Sequence, residues 1–351
     1  MNVLGIETSC DECAAAVVED GRFIKSNAIL TQIPFHARYE GVVPEIASRK
    51  HTEWILPVVK EALDSAGLSV EDIDAVAAVS QPGLFGSLLV GLTFAKSFAW
   101  ARDLPFIACN HLLSHLYACR LESGGAGGFT GENPAYPFIG LLASGGHTVI
   151  CRMDDFDRVT VLGSTIDDAA GEAFDKVAKH YKIGYPGGAA ISALAKKGDC
   201  EAFKFPLPNL KKGFRRCDVS YSGLKTAAIN QRDLFSKKLR DENEDIETLK
   251  ADVAASFQEA AVEILIRSLL NAVEDTGITV IAAGGGVAAN ERLRERLAGC
   301  SGLKCFFPPF SLCGDNAAMT AGLGWRYLER GERSPLSTPA NSRAPDFRRG
   351  F

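Results

Sequence analysis

The stretch that decides the fold is FIGLLASGGHTVICRMDDFDRVTVLG, residues 138–163, because its grammar already occurs in VLGIETSCDECAAAVVEDGRFIKSNAI, residues 3–29. Each copy reads as three short strands joined by tight turns, with alternating or continuous apolar runs and Gly at the corners. Gly5, Ile6 and Ser9 align with Gly140, Leu141 and Ser144. The segments downstream of each copy repeat as well. After the first come PEIASRKHTEWILPVVKEALDSAG (44–67, helix), DAVAAVS (74–80, strand), GSLLVGLTFAKSFAWAR (86–102, helix), FIACN (106–110, strand) and HLLSHLYACR (111–120, helix). After the second come a long helix from about Ile246 to Val273, then TVIAAGGG (279–286, strand), NERLRERLAG (290–299, helix), KCFFPP (304–309, strand) and GDNAAMTAGLGWRYLER (314–330, helix). Ile246, Leu249, Val253, Phe257, Ala260, Ile264 and Leu265 mark the face that the long helix is expected to bury. Two βββαβα units predict a duplicated α/β fold with a central cleft between its lobes. The lobes are expected at residues 1–134 and 135–351, the second with a helical insertion over about 164–245.

Bulk properties narrow the class. With 351 residues, 46% hydrophobic and 23% charged, the chain has the composition of an ordered globular protein rather than a disordered or fibrous one. The opening MNVLGIETSC lacks the basic start and apolar run of a signal peptide. The apolar run at 88–101 is interrupted by Thr93, Lys96 and Ser97, too short to span a bilayer, so a cytoplasmic location is expected without membrane attachment. Ten cysteines then read as reduced thiols, and Cys10 and Cys13 form a lone CxxC with no second pair to complete a four-thiolate site. A net charge of −5 argues against an autonomous nucleic-acid binder, although KKGFRR (211–216), ERLRER (291–296) and RAPDFRRG (343–350) are local basic patches.

His111 and His115 stand four apart, two of only six histidines. On a helix they share one face. By the repeat, the junction that bears them corresponds to FSLCGDNAAM in the second copy, which offers Asp315 from the opposite lobe. Two imidazoles and a carboxylate suit iron or zinc with open coordination positions. Two satisfied histidines at helical spacing are the plainer alternative. A zincin protease is disfavoured, since Leu112 stands where HExxH has its glutamate.

Adjacent glycines let backbone N–H groups close on an anion. SGGHT (144–148), YPGG (185–188) and GGG (284–286) are three such turns, and the last precedes a helix whose N-terminus favours phosphate. Asp11 and Glu12 occupy, in the first hairpin, the place of Gly145 and Gly146, where they would order a metal or accept a proton, or simply fill an exposed turn. IDDAAGEAFDKVAK (166–179) is expected to be a helix, with Asp167 and Asp168 at its start as caps and Asp175 well inside, where it could accept hydrogen bonds from an amine or hydroxyl of a ligand. A kinase of the same fold, a metallopeptidase and a non-catalytic scaffold remain competing readings of these residues.

The ordered series GIETSCDE (5–12), VVPEIASRKH (42–51), NHLLSH (110–115), LLASGGHT (141–148), IDDAAGEAFDKVAK (166–179), YPGG (185–188), SYSGLKTA (220–227), GGGVAAN (284–290) and CGDNAAM (313–319) resembles, over nearly the whole chain, the TsaD family of tRNA N6-adenosine threonylcarbamoyltransferases, formerly labelled glycoproteases. The resemblance implies the actin-like, sugar kinase-like ATPase fold. It implies transfer of a threonylcarbamoyl group from threonylcarbamoyl-AMP to N6 of adenosine 37 in tRNAs reading ANN codons, with release of AMP. By matching motifs, His111, His115 and Asp315 would hold one divalent metal ion, iron(II) or zinc. Leu142, Ala143, Ser144, Gly145 and Gly146 would wrap the phosphate and carbamoyl region, Asp175, Gly188 and Asn290 would contact the nucleoside, and Asp11 and Glu12 would lie near the reacting centre. Implied partners are an inactive paralogous subunit (TsaB-like), docking on the helices near residues 35–65, and a small P-loop ATPase (TsaE-like). Cys13 and Gly314 stand where relatives usually have threonine, and Ser192 where several have a ligand-contacting aspartate. Leu142 replaces a metal-ligating tyrosine of the archaeal and eukaryotic branch, which makes the chain bacterial in type.

Overall fold

The computed structural model describes residues 1–39, 41–123, 132–208, 215–231, 235, 237 and 245–347. Its contacts divide into two units. The first comprises Met1–Pro134, Asp155–Arg158 and Pro308–Arg348; the second comprises Ala135–Asp154, Val159–Phe307 and Arg349–Phe351.

In the first unit, β1 (Asn2–Glu7), β2 (Glu12–Glu19) and β3 (Phe23–Thr31) form an antiparallel meander. A short α1 (Ile33–His36) and the long α2 (Pro44–Ala66) lead to β4 (Ala75–Gln81), which pairs parallel with β1. Then α3 (Phe85–Ala101) crosses to β5 (Phe106–Asn110), parallel to β4, and α4 (His111–Tyr117) starts at once. With the two-residue β6 (Glu122–Ser123) the sheet order is β5-β4-β1-β2-β3-β6. β1 and β4 are buried along nearly their whole length, as strands covered on both faces must be, whereas β3, paired on its outer side only with the two-residue β6, is half exposed. Pro44 opens α2, and the left-handed Gly67 closes it, its N–H reaching Asp64 O while Leu68 N reaches Leu63 O. Ile55, Val58, Val59 and Ala62 of α2 pack with Leu92 of α3 on Leu4, Ile6 and Val17 of the sheet. Each such large side chain taken from water contributes about 1.5–3 kcal/mol.

The second unit repeats the plan. β7 (Phe138–Ala143), β8 (Thr148–Met153) and β9 (Val159–Ser164) form the meander. Helices α5 (Ala170–His180), α6 (Gly187–Ala195) and α7 (Ser222–Asn230) come next, then α8 (Ile246–Thr276), β10 (Val280–Gly284), α9 (Glu291–Ala298) and β11 (Lys304–Phe306). The sheet order, β11-β10-β7-β8-β9, matches β5-β4-β1-β2-β3 strand for strand, with parallel and antiparallel pairings in the same places. Leu249, Val253, Phe257, Ile264 and Leu265 of α8 are buried as the periodicity requires, but Ile246 is exposed. It sits in the first turn, where Asp245 caps the helix.

The last helix, α10 (Ala317–Glu329), departs from the sequence expectation. The repeat assigned it to the second lobe, yet Pro308–Arg348 belong by their contacts to the first unit. Gly5 of β1 explains the close fit: a Cβ there would lie 2.3 Å from Ala317 O. With no side chain at that point, the start of α10 rests directly on the central strand.

Candidate functional site

Asn110 ends β5 and caps α4, its side-chain oxygen accepting from Leu112 N and Leu113 N. The cap fixes His111 as the first helical residue, with His115 one turn on and the two rings 4.5 Å apart. Asp315 stands just before α10, whose own cap, Asn316, accepts from Met319 N and donates to Leu312 O and Gly314 O. Asp315 Oδ1 lies 3.1 Å from His115 Nε2 and 3.6 Å from His111 Nε2. Asp315 therefore meets the histidines within the first unit, not from an opposite lobe.

The donor set fits a cation. One atom from each of the three residues falls within 4.8 Å of the others. Bonds of about 2.0–2.1 Å at tetrahedral angles place donor atoms roughly 3.3 Å apart, between the two observed separations. His111 Nδ1 faces Glu7 Oε2 at 3.0 Å and Ser9 Oγ at 3.2 Å. A carboxylate on Nδ1–H leaves the Nε2 lone pair for a metal, the usual outer-shell arrangement. Burial works against a charged His111 ring, but Glu7 and Asp315 outweigh it and raise the pKa to about 9. The pocket is thus built for positive charge, which a proton supplies when a cation does not. Glu7, fully buried and also accepting from Ser9 N, was not singled out in the sequence. Its signal is an acid closing the otherwise apolar strand VLGIE.

Asp11 is buried, and Glu12 begins β2 with Thr31 Oγ1 donating to its Oε1 at 3.2 Å. Burial first, then the negative charges of Asp315 and Asp11, push the Glu12 carboxyl up to about 9. Both acids thus belong to the electrostatic neighbourhood of Asp315. All ten cysteines are free thiols. Cys13 lies in the core with its thiol driven up to about 12 by burial, and burial with Asp11 raises Cys10 as well, so neither is a ready thiolate.

The second unit holds a cavity of about 460 Å³, the size of a small-molecule site, lined in part by Gly145, Asp175, Gly188, Gly286 and Asn290. Cβ atoms at Gly145, Gly188 and Gly286 would meet nothing within 4 Å, so these walls are bare backbone. Gly285, at φ +91°, passes so close to Ala143 that a Cβ would sit 2.4 Å from its carbonyl oxygen. Leu142 and Ala143 are buried strand residues paired with Val149 and Thr148, and Ser144 closes the turn, its Oγ accepting from His147 N. Of residues 142–146, Gly145 alone is among the cavity lining. Asp175 reaches the cavity while its Oδ1 accepts from Gly187 N at 2.7 Å, so the carboxylate also anchors the YPGG turn. Asn290 caps α9 through Leu293 N and donates to Gln258 Oε1 at 2.8 Å. Ser192, Lys196 and Glu291 complete one side, the last two paired at 2.7 Å.

Asp167 and Asp168 precede the helix rather than start it, since α5 begins at Ala170. Asp167 instead accepts from Tyr221 N, and Asp168 pairs with Lys176 and Lys225. Of the basic patches, residues 211–214 and 348–350 lie outside the described residues. Arg216 pairs with Glu274 and Asp275, while Arg292 and Arg296 are tied to Glu259. Among the described residues no helix is long and apolar enough to cross a membrane.

Comparison with known proteins bears on the family. The family model described as tRNA N6-adenosine threonylcarbamoyltransferase (TsaD) matches residues 23–322. The protein of that name from Treponema denticola is 59% identical over 347 residues, covering 99% of this chain and 98% of its own. Its namesake from Treponema pallidum is 54% identical, covering 99% and 94%. The (R)-2-hydroxyglutaryl-CoA dehydratase component A of Acidaminococcus fermentans superposes with a TM-score of 0.52 at 15% identity, over 94% of this chain and 99% of that one, which speaks to the duplicated actin-like fold alone. A family model matching residues 23–322 and identity at this level over the full length make the chain a member of the tRNA N6-adenosine threonylcarbamoyltransferase family.

Proposed function

We propose that this transferase takes its group from threonylcarbamoyl adenylate, delivers it to N6 of adenosine 37 in tRNAs reading ANN codons, releases AMP, and depends on one divalent cation, iron(II) or zinc. The observation that carries the reading is the convergence of His111 Nε2, His115 Nε2 and Asp315 Oδ1, with Glu7 on the far nitrogen of His111. A cation there would act as a Lewis acid on the phosphate or carbonyl oxygen of the donor. His111, His115 and Asp315 hold that charge in place, and Glu7 keeps His111 in the ligating tautomer.

In the transfer, the N6–carbonyl bond forms, the bond from the carbonyl carbon to the phosphate oxygen breaks, and AMP leaves with the electron pair. The N6 lone pair is delocalised into the ring, so losing its proton to a nearby base matters. The N6 proton then passes to Asp11, a step of the kind that contributes about 10²–10⁴-fold. In the second unit, bare backbone at Gly145, Gly188 and Gly286 admits the adenylate, with Asp175 and Asn290 beside its nucleoside part. Leu142, Ala143, Ser144 and Gly146 shape the turn that presents Gly145.

The substrate places the enzyme in the cytoplasm. An inactive paralogous subunit docks on the exposed face of the 35–65 region, where Phe35 and Leu56 are uncovered, and a small P-loop ATPase resets the assembly. The test incubates the chain and these partners with unmodified tRNA and threonylcarbamoyl adenylate, followed by nucleoside mass analysis and assay of AMP. Modified adenosine and AMP in equal amounts are expected. ADP with a phosphorylated small molecule, or modification undiminished in the His111→Ala, His115→Ala and Asp315→Ala triple variant, would overturn the reading.

A further inference from the structure

Neither the cation site nor the cavity uses His51, Gln32 or His36, three fully buried polar side chains beneath the turn that carries Asp11 and Glu12. Three successive carbonyls of that turn are each held by a different segment. Leu84 N donates to Ser9 O at 2.8 Å, His51 Nε2 to Cys10 O at 2.9 Å, and Gln32 N to Asp11 O at 3.0 Å. Gln32 is itself steadied: Val43 N donates to His36 Nδ1, His36 Nε2 to Gln32 Oε1, and Gln32 Nε2 to Ala47 O, each at 3.3 Å.

Of the three donors to the turn, only that of His51 comes from a side chain. Its other nitrogen, Nδ1, is buried with no hydrogen-bond partner. Burial keeps the ring neutral, so it carries one N–H, and Cys10 O takes it. An apolar side chain of similar volume would pack here without leaving a lone pair unpaired. What it could not supply is a donor to the peptide group that directly precedes Asp11.

We propose that His51 is a positioning residue for the transfer: by holding the Cys10–Asp11 peptide plane it aims the Asp11 carboxylate at the N6 proton. This rests on the role given to Asp11 above. A base misplaced by about 1 Å costs on the order of 100-fold in rate without weakening substrate binding.

The experiment compares His51→Gln, His51→Asn and His51→Leu in the full chain with its partner proteins, under saturating tRNA and threonylcarbamoyl adenylate. Gln places its amide nitrogen where Nε2 was, Asn places it where Nδ1 was, and Leu has no donor. The expected result is a kcat about 10- to 100-fold lower for Asn and Leu, with KM for both substrates unchanged and bound metal still one per chain. Gln is expected to return kcat to within roughly fivefold of wild type. If Leu does not fold, the Gln and Asn pair decides. Equal kcat in all folded variants, or a loss that appears in KM alone, overturns the positioning role. A wild-type protein that makes no modified nucleoside overturns instead the reading on which it rests.

Discussion

Glu7 shows how much of the candidate site hangs on a residue behind the three converging side chains. Its carboxylate is fully buried, with one oxygen on Ser9 N and the other on His111 Nδ1. Glu7→Gln keeps the shape and removes the charge. Cation affinity is expected to fall about 10- to 100-fold, read by titration of the metal-free protein with zinc, while the far-ultraviolet circular dichroism stays unchanged. Unaltered affinity would mean that Glu7 only fills space. Glu12 sets a pH dependence. Its carboxyl titrates near 4.5 in the unfolded chain and at about 9 in the fold, so between those values the folded state holds the extra proton and stability falls as pH rises. Glu12→Gln removes that proton uptake. In cation-free protein the melting temperature of the variant minus that of wild type is expected to grow from near zero at low pH to its largest value at the upper end of the window. A flat difference would exclude a raised Glu12. Glu12 could not be ranked from the sequence, because a carboxylate beside a hairpin turn is usually solvated, and only packing shows that this one is not; Glu7 closes an apolar strand, a signal that does not say what it faces.

At the scale of elements, the junction between β5 and α4 joins local order to chemistry. Asn110 accepts from two orphan N–H groups of the first helical turn, and His111 is the residue immediately inside it. Asn110→Ala is expected to cost about 1 kcal/mol, a fall of roughly 2–4 °C in melting temperature, together with weaker cation binding as the first turn frays. Differential scanning calorimetry with and without zinc separates the two effects, and a loss of stability with full affinity would show that the cap does not position His111. The element order was legible because buried parallel strands read as short apolar runs and the helices between them carry clear periodicity, as DAVAAVS and FIACN show. The start of α5 was not: Asp167 and Asp168 look like caps but are spent on Tyr221 N and two lysines, partners more than fifty residues away in the case of Tyr221 and Lys225. Asn290 and Asp175 were found at the cavity; the cap that Asn290 makes to Leu293 N is local, whereas the bond from Gly187 N to Asp175 joins two elements and no local pattern encodes it.

For the whole molecule, a net charge of −5 is not that of an autonomous binder of polyanions, and Arg216, Arg292 and Arg296 of the basic patches are paired with acids. Binding of tRNA is therefore expected to depend on a few phosphate contacts and on partner subunits. Apparent KM for tRNA should rise steeply between about 50 and 200 mM salt, with a log–log slope of roughly 0.7–0.9 per phosphate contacted, while KM for the donor changes far less. Steady-state assays over that range check this, and a salt-independent KM would exclude phosphate-led recognition. The duplication itself was plain in the sequence, and the matching strand orders bear it out. The allegiance of the last helix was not plain, because a repeat says which segments are alike and not which ones touch.

Asp315 joins His115 across 200 residues of chain. A ribosome works from the amino end, so both imidazoles emerge early and wait for an acid encoded near the close of the message. Until that late segment folds back onto the first strand, where Gly5 leaves room for it, the growing polypeptide lacks one of the three side chains that meet there, and a prematurely terminated product would keep the two imidazoles without their acid.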